Sequence, residues 1–170
     1  ECWLDISGTK KLFGKPVDVA NEIRERIKFE LGLTISVGVS FNKIFAKLGS
    51  DYKKPDAVTV FEKETFREKI WGLPASDLLG VGRATTRVLN NYCIRTIGDL
   101  ANSDYDFIKR ILGKNGVSLW LYANGKDNST VKDIKFVSPV KSIGHGITTV
   151  VDLSNEEEVW RVFLELTQGI

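Results

Sequence analysis

A strand–helix–strand pattern over residues 33–61 constrains the fold of this chain more than any other feature. Residues 34–39 carry β-branched side chains at alternate positions, which is typical of a strand. Residues 42–52 then show apolar side chains at helical spacing, and Ser40 is a candidate N-cap for this helix. Pro55 ends the helix, because the residue before a proline is displaced from the α region, and a second β-rich run follows.

Lysines lie in and just after this helix, at positions 43, 47, 53 and 54. For lysines alone, a solvated helix face is the ordinary explanation. A sharper hypothesis is that Lys54, next to the rigid Pro55 at the start of a strand, meets a phosphate. The spacing alone leaves both interpretations open.

Alternating polarity over residues 1–6 predicts a further strand, with Glu1 and Asp5 on one face. Two carboxylates on one face can bind a divalent cation through oxygen ligands. Two solvated acidic residues explain the same pattern, so the segment by itself does not establish a metal site.

The segment between this strand and the strand–helix–strand pattern is predicted to be a loop followed by a helix. Residues 10–15 predict the loop, and residues 16–31 predict a helix that begins at a proline and ends before Gly32. Together these elements predict an α+β layer with helices on one face of a sheet.

A glycine turn over residues 80–82 precedes Arg83 and a helical run. Tight glycine turns expose consecutive backbone N–H groups at a helix N-terminus, which makes an anion site. Neutral amides and one arginine bind a phosphate without reading the bases. An ordinary connection between two helices explains the same glycines.

Residues 136–151 contain no carboxylate and combine β-like composition with small hydroxyls and Lys141. Such a segment can lie along a phosphate backbone through amides and hydroxyls. His145, the one histidine of the sequence, gives no catalytic signal by itself. Residues 156–166 predict an amphipathic helix.

Bulk composition limits the classes of function. The formal net charge is only +2, so nucleic-acid binding cannot be argued from the total and needs a local patch. Cys2 and Cys93 lack metal or disulfide-framework spacing, which fits a reducing cytoplasm. We find no signal peptide and no apolar run of about 20 residues, so no membrane association is expected.

Four motifs, in order, resemble the signatures of the Y-family (translesion) DNA polymerases. The first is ECWLD at the start of the chain. The second combines SVGVSFNK, FAK, SD and KP within residues 36–55. The third and fourth are LGVG at residues 79–82 and KSIG at residues 141–144. Four motifs in family order are far more specific than any one of them.

This resemblance implies an α+β fold: a partial palm sheet with helices packed on one face, a small all-α helix-hairpin-helix thumb, and the beginning of an α/β little finger. It implies a partial palm (catalytic) domain at residues 1–72 and a thumb at 73–126. A linker would occupy residues 127–135, and the truncated start of the little finger residues 136–170.

The resemblance also implies an activity and its residues. The full-length protein would add deoxynucleotides to a primer opposite damaged template, using two Mg²⁺ ions. Glu1 would be a catalytic metal ligand, and Lys54 would contact the triphosphate. The DNA-binding residues would be Gly80, Val81, Gly82, Arg83, Lys141, Ser142, Ile143, Gly144 and His145.

Two aspartates that share the metals in this family have no counterpart in the sequence, nor do the fingers. We therefore expect this stretch to be inactive by itself. Expected partners are primer-template DNA, deoxynucleoside triphosphates and a sliding clamp that binds through regions outside this chain. One alternative is a non-catalytic helix-hairpin-helix DNA-binding protein. Another is an interaction protein that docks a partner through residues 156–166.

Overall fold

The computed structural model describes residues 1–168. The chain divides into two compact units: the first is Glu1–Val131, and the second begins at Lys132. This division falls within residues 127–135, where the sequence predicts a linker. The palm and thumb assignments remain predictions.

A parallel pair of strands with a crossing helix forms the centre of the first unit. Strand β1 (Val37–Ser40) pairs with strand β2 (Val58–Phe61) in parallel, with Val37 opposite Val58, and helix α3 (Lys43–Tyr52) connects them. The apolar face of α3 is buried. The strand–helix–strand prediction is therefore confirmed.

Glycines let helix α3 lie directly against strand β1. A Cβ on Gly38 would lie 1.8 Å from the carbonyl oxygen of Ala46, and one on Gly49 would lie 3.2 Å from the Cα of Gly38. Larger side chains at either position would force the helix and strand apart.

Two helices precede the strands. Helix α1 (Lys10–Phe13) is a single turn where the sequence predicted a loop, and helix α2 (Pro16–Leu31) ends at Gly32 with φ +67°. Helix α2 is tied to the loop before β2, because Arg24 and Lys28 both donate to the Asp56 carboxylate at 2.7 and 2.6 Å.

Further helices complete the first unit. They are α4 (Phe66–Ile70), a 3₁₀ turn (Ala75–Asp77), α5 (Arg83–Asn91), α6 (Ile97–Asn102) and α7 (Tyr105–Ala123). Helix α7 is kinked at Gly113, where φ is +62°.

The helical part and the strand-bearing part share one core. The indole N–H of Trp71 donates to the carbonyl oxygen of Ala123 at 3.2 Å, and Gly98 N–H donates to the carbonyl oxygen of Trp71 at 2.9 Å. A single cluster of buried apolar side chains runs from Ile44 to Ala123. Packing is therefore continuous across the expected palm–thumb boundary between residues 72 and 73.

Two expected strands are absent from the described residues. Residues 1–6 and 136–151 are irregular, although their composition is β-like. An extended segment becomes a strand only when its backbone groups pair with a neighbour, and the described residues provide neither segment with one.

The second unit contains one long helix in its described part. Helix α8 (Glu156–Gln168) confirms the amphipathic helix expected there. Residues 169 and 170, which the sequence also assigned to the little finger, lie outside the described residues. Across residues 1–168, no helix combines the length and apolarity needed to cross a bilayer.

Candidate functional site

The polar face of helix α3 carries charged side chains at helical spacing. Lys43, Lys47 and Asp51 are each four residues apart, and Lys54 follows three residues later. Residues three or four apart are neighbours on a helix surface. The opposite face, with Phe45 and Leu48, is buried, so this charged row faces away from the core.

An unbroken series of ion pairs joins Glu1 to Lys54. Lys47 Nζ lies 3.1 Å from Glu1 Oε1 and 2.8 Å from Asp51 Oδ2. Lys54 Nζ lies 2.5 Å from Asp51 Oδ1. The structure thus brings the candidate metal ligand and the candidate phosphate ligand to the same side of α3, linked through Lys47 and Asp51. We call these four residues the charge network.

A second contact holds the N-terminal segment on α3. The indole N–H of Trp3 donates to the carbonyl oxygen of Lys43 at 3.2 Å, and the Lys43 ammonium lies 5.7 Å from the centre of the Trp3 ring. Glu1 is therefore positioned by two neighbouring contacts, although its segment pairs with no strand among the described residues.

Electrostatics keep the centre of the charge network ionised. Hydrogen bonds from Lys47 and then Lys54 hold the pKa of Asp51 below its ordinary value. The hydrogen bond to Asp51, assisted by Glu1, raises the pKa of Lys47 against the effect of burial. The Lys47 side chain is only 21% exposed, whereas Glu1 and Lys54 are 56% and 58% exposed. The two ends of the network are accessible to a ligand.

The described residues do not form a complete metal site. They contain no group of three or more His, Cys, Asp or Glu side chains that could hold an ion. Asp5 accepts from the Ser7 N–H at 2.9 Å, which lowers the Asp5 pKa. Because Mg²⁺ takes six oxygen ligands, Glu1 alone does not make a centre.

The glycine turn lies at the start of helix α5. Gly80 has φ +94°, and a Cβ there would lie 3.2 Å from Leu119, whereas Gly82 is the N-cap and has open space around it. Val81 is buried and Arg83 is exposed. Val81 fixes the turn to the core while the neighbouring backbone faces outward.

Free amides follow this turn. The first backbone N–H bond of the helix runs from Thr86 to the Gly82 carbonyl at 2.9 Å. Within the described chain, the N–H groups of residues 82–85 have no backbone partner. Such amides, with the positive end of the helix dipole, favour an anion. This turn is not part of the charge network.

The remaining candidate residues lie in the second unit. Lys141, Ser142, Ile143, Gly144 and His145 are all exposed and belong to an irregular segment. The described residues give this segment no fixed partner, and its role in DNA binding stays a prediction.

Two residues of the charge network were not predicted as site residues: Lys47 and Asp51. Their i,i+4 spacing, with Lys54 three residues later, was visible in the sequence and indicates a shared helix face. The contact of Lys47 with Glu1 spans 46 positions, and local spacing does not reveal it.

Two surface grooves lie apart from the charge network. One, of about 410 Å³, is lined by residues that include Ser76, Thr86 and Arg95. The other, of about 640 Å³, has Phe41, Arg67 and Lys126 among its lining residues. We place the candidate site at the charge network, because the chemically distinctive side chains converge there.

Comparison with known proteins gives a consistent result. The model of the impB/mucB/samB family matches residues 1–51. DNA polymerase IV of Acetivibrio thermocellus is 55% identical over the whole of this chain, which covers 43% of that protein.

Solved structures resemble this fold as well. The post-insertion binary complex of Dbh DNA polymerase is 27% identical with a TM-score of 0.67, covering 76% of this chain and 38% of that one. A Y-family DNA polymerase chimera of Dbh and Dpo4 is 28% identical with a TM-score of 0.66, covering 76% and 38%. The chain spans about two-fifths of the curated relatives that it matches.

Proposed function

The chain belongs to the Y-family DNA polymerases, and on this premise we propose that it works within an error-prone translesion polymerase. The reaction is addition of deoxynucleotides to a primer opposite damaged template. The observation that carries the proposal is the charge network, because it joins an exposed carboxylate to an exposed lysine on one side of α3. Phosphoryl transfer needs both a metal-holding carboxylate and a cation for the phosphates.

Glu1 and Lys54 take separate roles in this proposal. Glu1 supplies one oxygen ligand to a two-Mg²⁺ centre whose other carboxylates are not among the described residues. Lys54 binds the triphosphate of the incoming nucleotide through a side chain that is 58% exposed. The metal centre is incomplete in this stretch, so we expect the stretch alone to be inactive.

DNA is held by its backbone in this proposal. The free amides at Gly82 and Arg83, on the turn that Gly80 and Val81 form, act as a helix-hairpin-helix element on one strand. Contacts to the DNA phosphate backbone do not depend on the base sequence, which suits a polymerase that meets nonstandard templates. Lys141, Ser142, Ile143, Gly144 and His145 contact DNA from the second unit.

The domain organisation is proposed as the family resemblance implies it. Residues 1–72 form part of the palm, 73–126 the thumb, 127–135 a linker and 136–170 the start of the little finger. The element order of the first unit supports this division, because both strands lie before residue 72 and only helices follow the second strand among its described elements. A cytoplasmic location and a sliding clamp bound through other regions complete the proposal.

Primer extension tests the proposed function. A full-length protein that carries this segment should extend a primer on both intact and lesion-containing templates, and chelation of Mg²⁺ should stop extension. Binding of the same DNA without any nucleotide addition would instead support a non-catalytic helix-hairpin-helix protein. A direct check on the segment is that residues 1–170 alone should give no extension.

A further inference from the structure

We propose that Asp51 is a positioning residue for nucleotide binding, because its carboxylate holds Lys54 in place for the triphosphate while Lys47 ties the pair to Glu1. This inference rests on the proposed function and deepens it. Each oxygen of Asp51 accepts from a different lysine: Oδ2 from Lys47 at 2.8 Å and Oδ1 from Lys54 at 2.5 Å.

The position of Asp51 argues against a role in helix stability. Asp51 lies in the last turn of α3, which ends at Tyr52 and has no basic residue in that turn. The C-terminal end of a helix carries partial negative charge, so a carboxylate there is unfavourable for the helix. Asp51 is compensated by lysines, one of which lies beyond the helix end. The arrangement therefore orients Lys54 at a cost to the stability of helix α3.

The pairing leaves Lys54 able to bind a phosphate. A lysine ammonium has three N–H donors, and Asp51 uses one of them. The other two are available, because the Lys54 side chain is 58% exposed. A triphosphate can therefore bind while Asp51 still holds the lysine, so its binding does not require the pair to break.

Lys47 is less exposed than Asp51 or Lys54, and this distinguishes the arrangement from an ordinary surface ion pair. Exposed pairs contribute little because both side chains must be ordered. Lys47 is 21% exposed and is held from two sides, so it fixes Asp51 before Lys54 joins. Because the Lys54 side chain is already ordered, it loses less conformational entropy on binding phosphate than a freely moving lysine would lose.

A matched control exists in the same loop. Asp56 also accepts from two cations, Arg24 at 2.7 Å and Lys28 at 2.6 Å, and lies two residues beyond Lys54. It makes no contact with Lys54 or Glu1 among the described ion pairs. Removing its charge disturbs a comparable structural ion pair without touching the network.

The experiment measures steady-state kinetics and thermal unfolding of Asp51→Ala, Asp51→Asn, Lys54→Ala and Asp51→Ala/Lys54→Ala in the full-length protein, with Asp56→Asn as control. We expect Asp51→Ala to raise the KM for the incoming nucleotide about 2- to 10-fold, the cost of ordering one long side chain. DNA affinity should stay unchanged. The KM of Asp51→Asn should lie between those of wild type and Asp51→Ala, because asparagine keeps an oxygen for Lys54 and loses the bond from Lys47.

Non-additivity is the decisive result. In the Lys54→Ala background, Asp51→Ala should have almost no further effect on KM, and Asp56→Asn should leave KM unchanged whatever it does to unfolding. Additive effects, an unchanged or lowered KM in Asp51→Ala, or an equal rise in Asp56→Asn would overturn the inference. An unchanged KM in Lys54→Ala, or no extension by wild type, would instead overturn the proposed function.

Discussion

A Cβ atom on Gly38 would lie 1.8 Å from the carbonyl oxygen of Ala46, so strand β1 and helix α3 approach as closely as their backbones allow. The charge network depends on this approach, because α3 carries two of its four residues, Lys47 and Asp51. The position of the network is therefore set by a residue that has no side chain.

Gly38→Ala should destabilise the protein severely. The clash is with backbone on two sides, Ala46 and Ser50, so rotamer changes cannot relieve it. Overpacking of this kind costs about 3 kcal/mol, at the upper end of the usual range. Gly72→Ala is the control, since nothing lies within 4 Å of a Cβ there. Chemical denaturation measures the stability of both variants. Equal unfolding midpoints for Gly38→Ala and Gly72→Ala would refute the close packing of β1 on α3.

Lys54→Ala should raise the KM for nucleotides by about 10- to 100-fold, the loss expected for hydrogen bonds to a charged group. DNA affinity should change little. Lys53→Ala is the matched control: Lys53 Nζ lies 6.0 Å from the centre of the Tyr52 ring and is not in the charge network. Single-nucleotide incorporation kinetics test this, and similar effects of the two changes would remove Lys54 from its assigned role.

Gly82→Leu should weaken DNA binding about 10-fold while nucleotide KM is retained, because a side chain at the helix start blocks phosphate from the free amides. Folding should survive, since Gly82 has open space and an extended φ of −85°. Gly72→Leu serves as the comparison. Binding is measured at several salt concentrations, because backbone affinity depends on salt. Unchanged affinity in Gly82→Leu would exclude the turn from the DNA interface.

Asp56 should make stability depend on pH in the acid range. Lys28, and then Arg24, hold the Asp56 pKa below its ordinary value of 3.8. A lowered pKa means that the ionised carboxylate stabilises the fold above pH 3.8, and that this contribution is lost as pH falls through the lowered value.

Asp56→Asn removes this titration and keeps a residue that tolerates φ +52°. Its urea midpoint should therefore fall less than that of wild type between neutral pH and pH of about 2 to 3. Parallel pH profiles for the two proteins would show that Asp56 gains no stabilisation from its cations.

Local patterns predicted the elements better than the contacts between them. The strand–helix–strand order followed from side-chain spacing, but the N-cap of α3 is Asn42, which accepts from Phe45 N–H at 2.8 Å. Ser40, the expected cap, instead donates to the carbonyl oxygen of Phe61 in the neighbouring strand at 2.8 Å. Both residues suit a cap, and only the long-range pairing decides between them.

Glu1 and Lys54, the two ends of the charge network, were singled out from the sequence, and their roles stay predictions. Side-chain pattern and motif resemblance both pointed to Glu1 and Lys54, whereas Lys47 and Asp51 join them through a contact that depends on the fold. The alternation in residues 1–6 is real, yet it produces no strand here, because strand pairing needs a neighbour that the pattern does not supply.

The hydrogen bond from Trp71 to Ala123, with that from Gly98 to Trp71, has a practical consequence for exchanging parts between relatives. Both bonds cross the junction between residues 72 and 73, where a sequence-based designer would cut. A hybrid joined there would pair one parent's tryptophan with another parent's helix. The crossover point belongs ahead of Trp71, so that the indole travels with the carbonyl to which it donates.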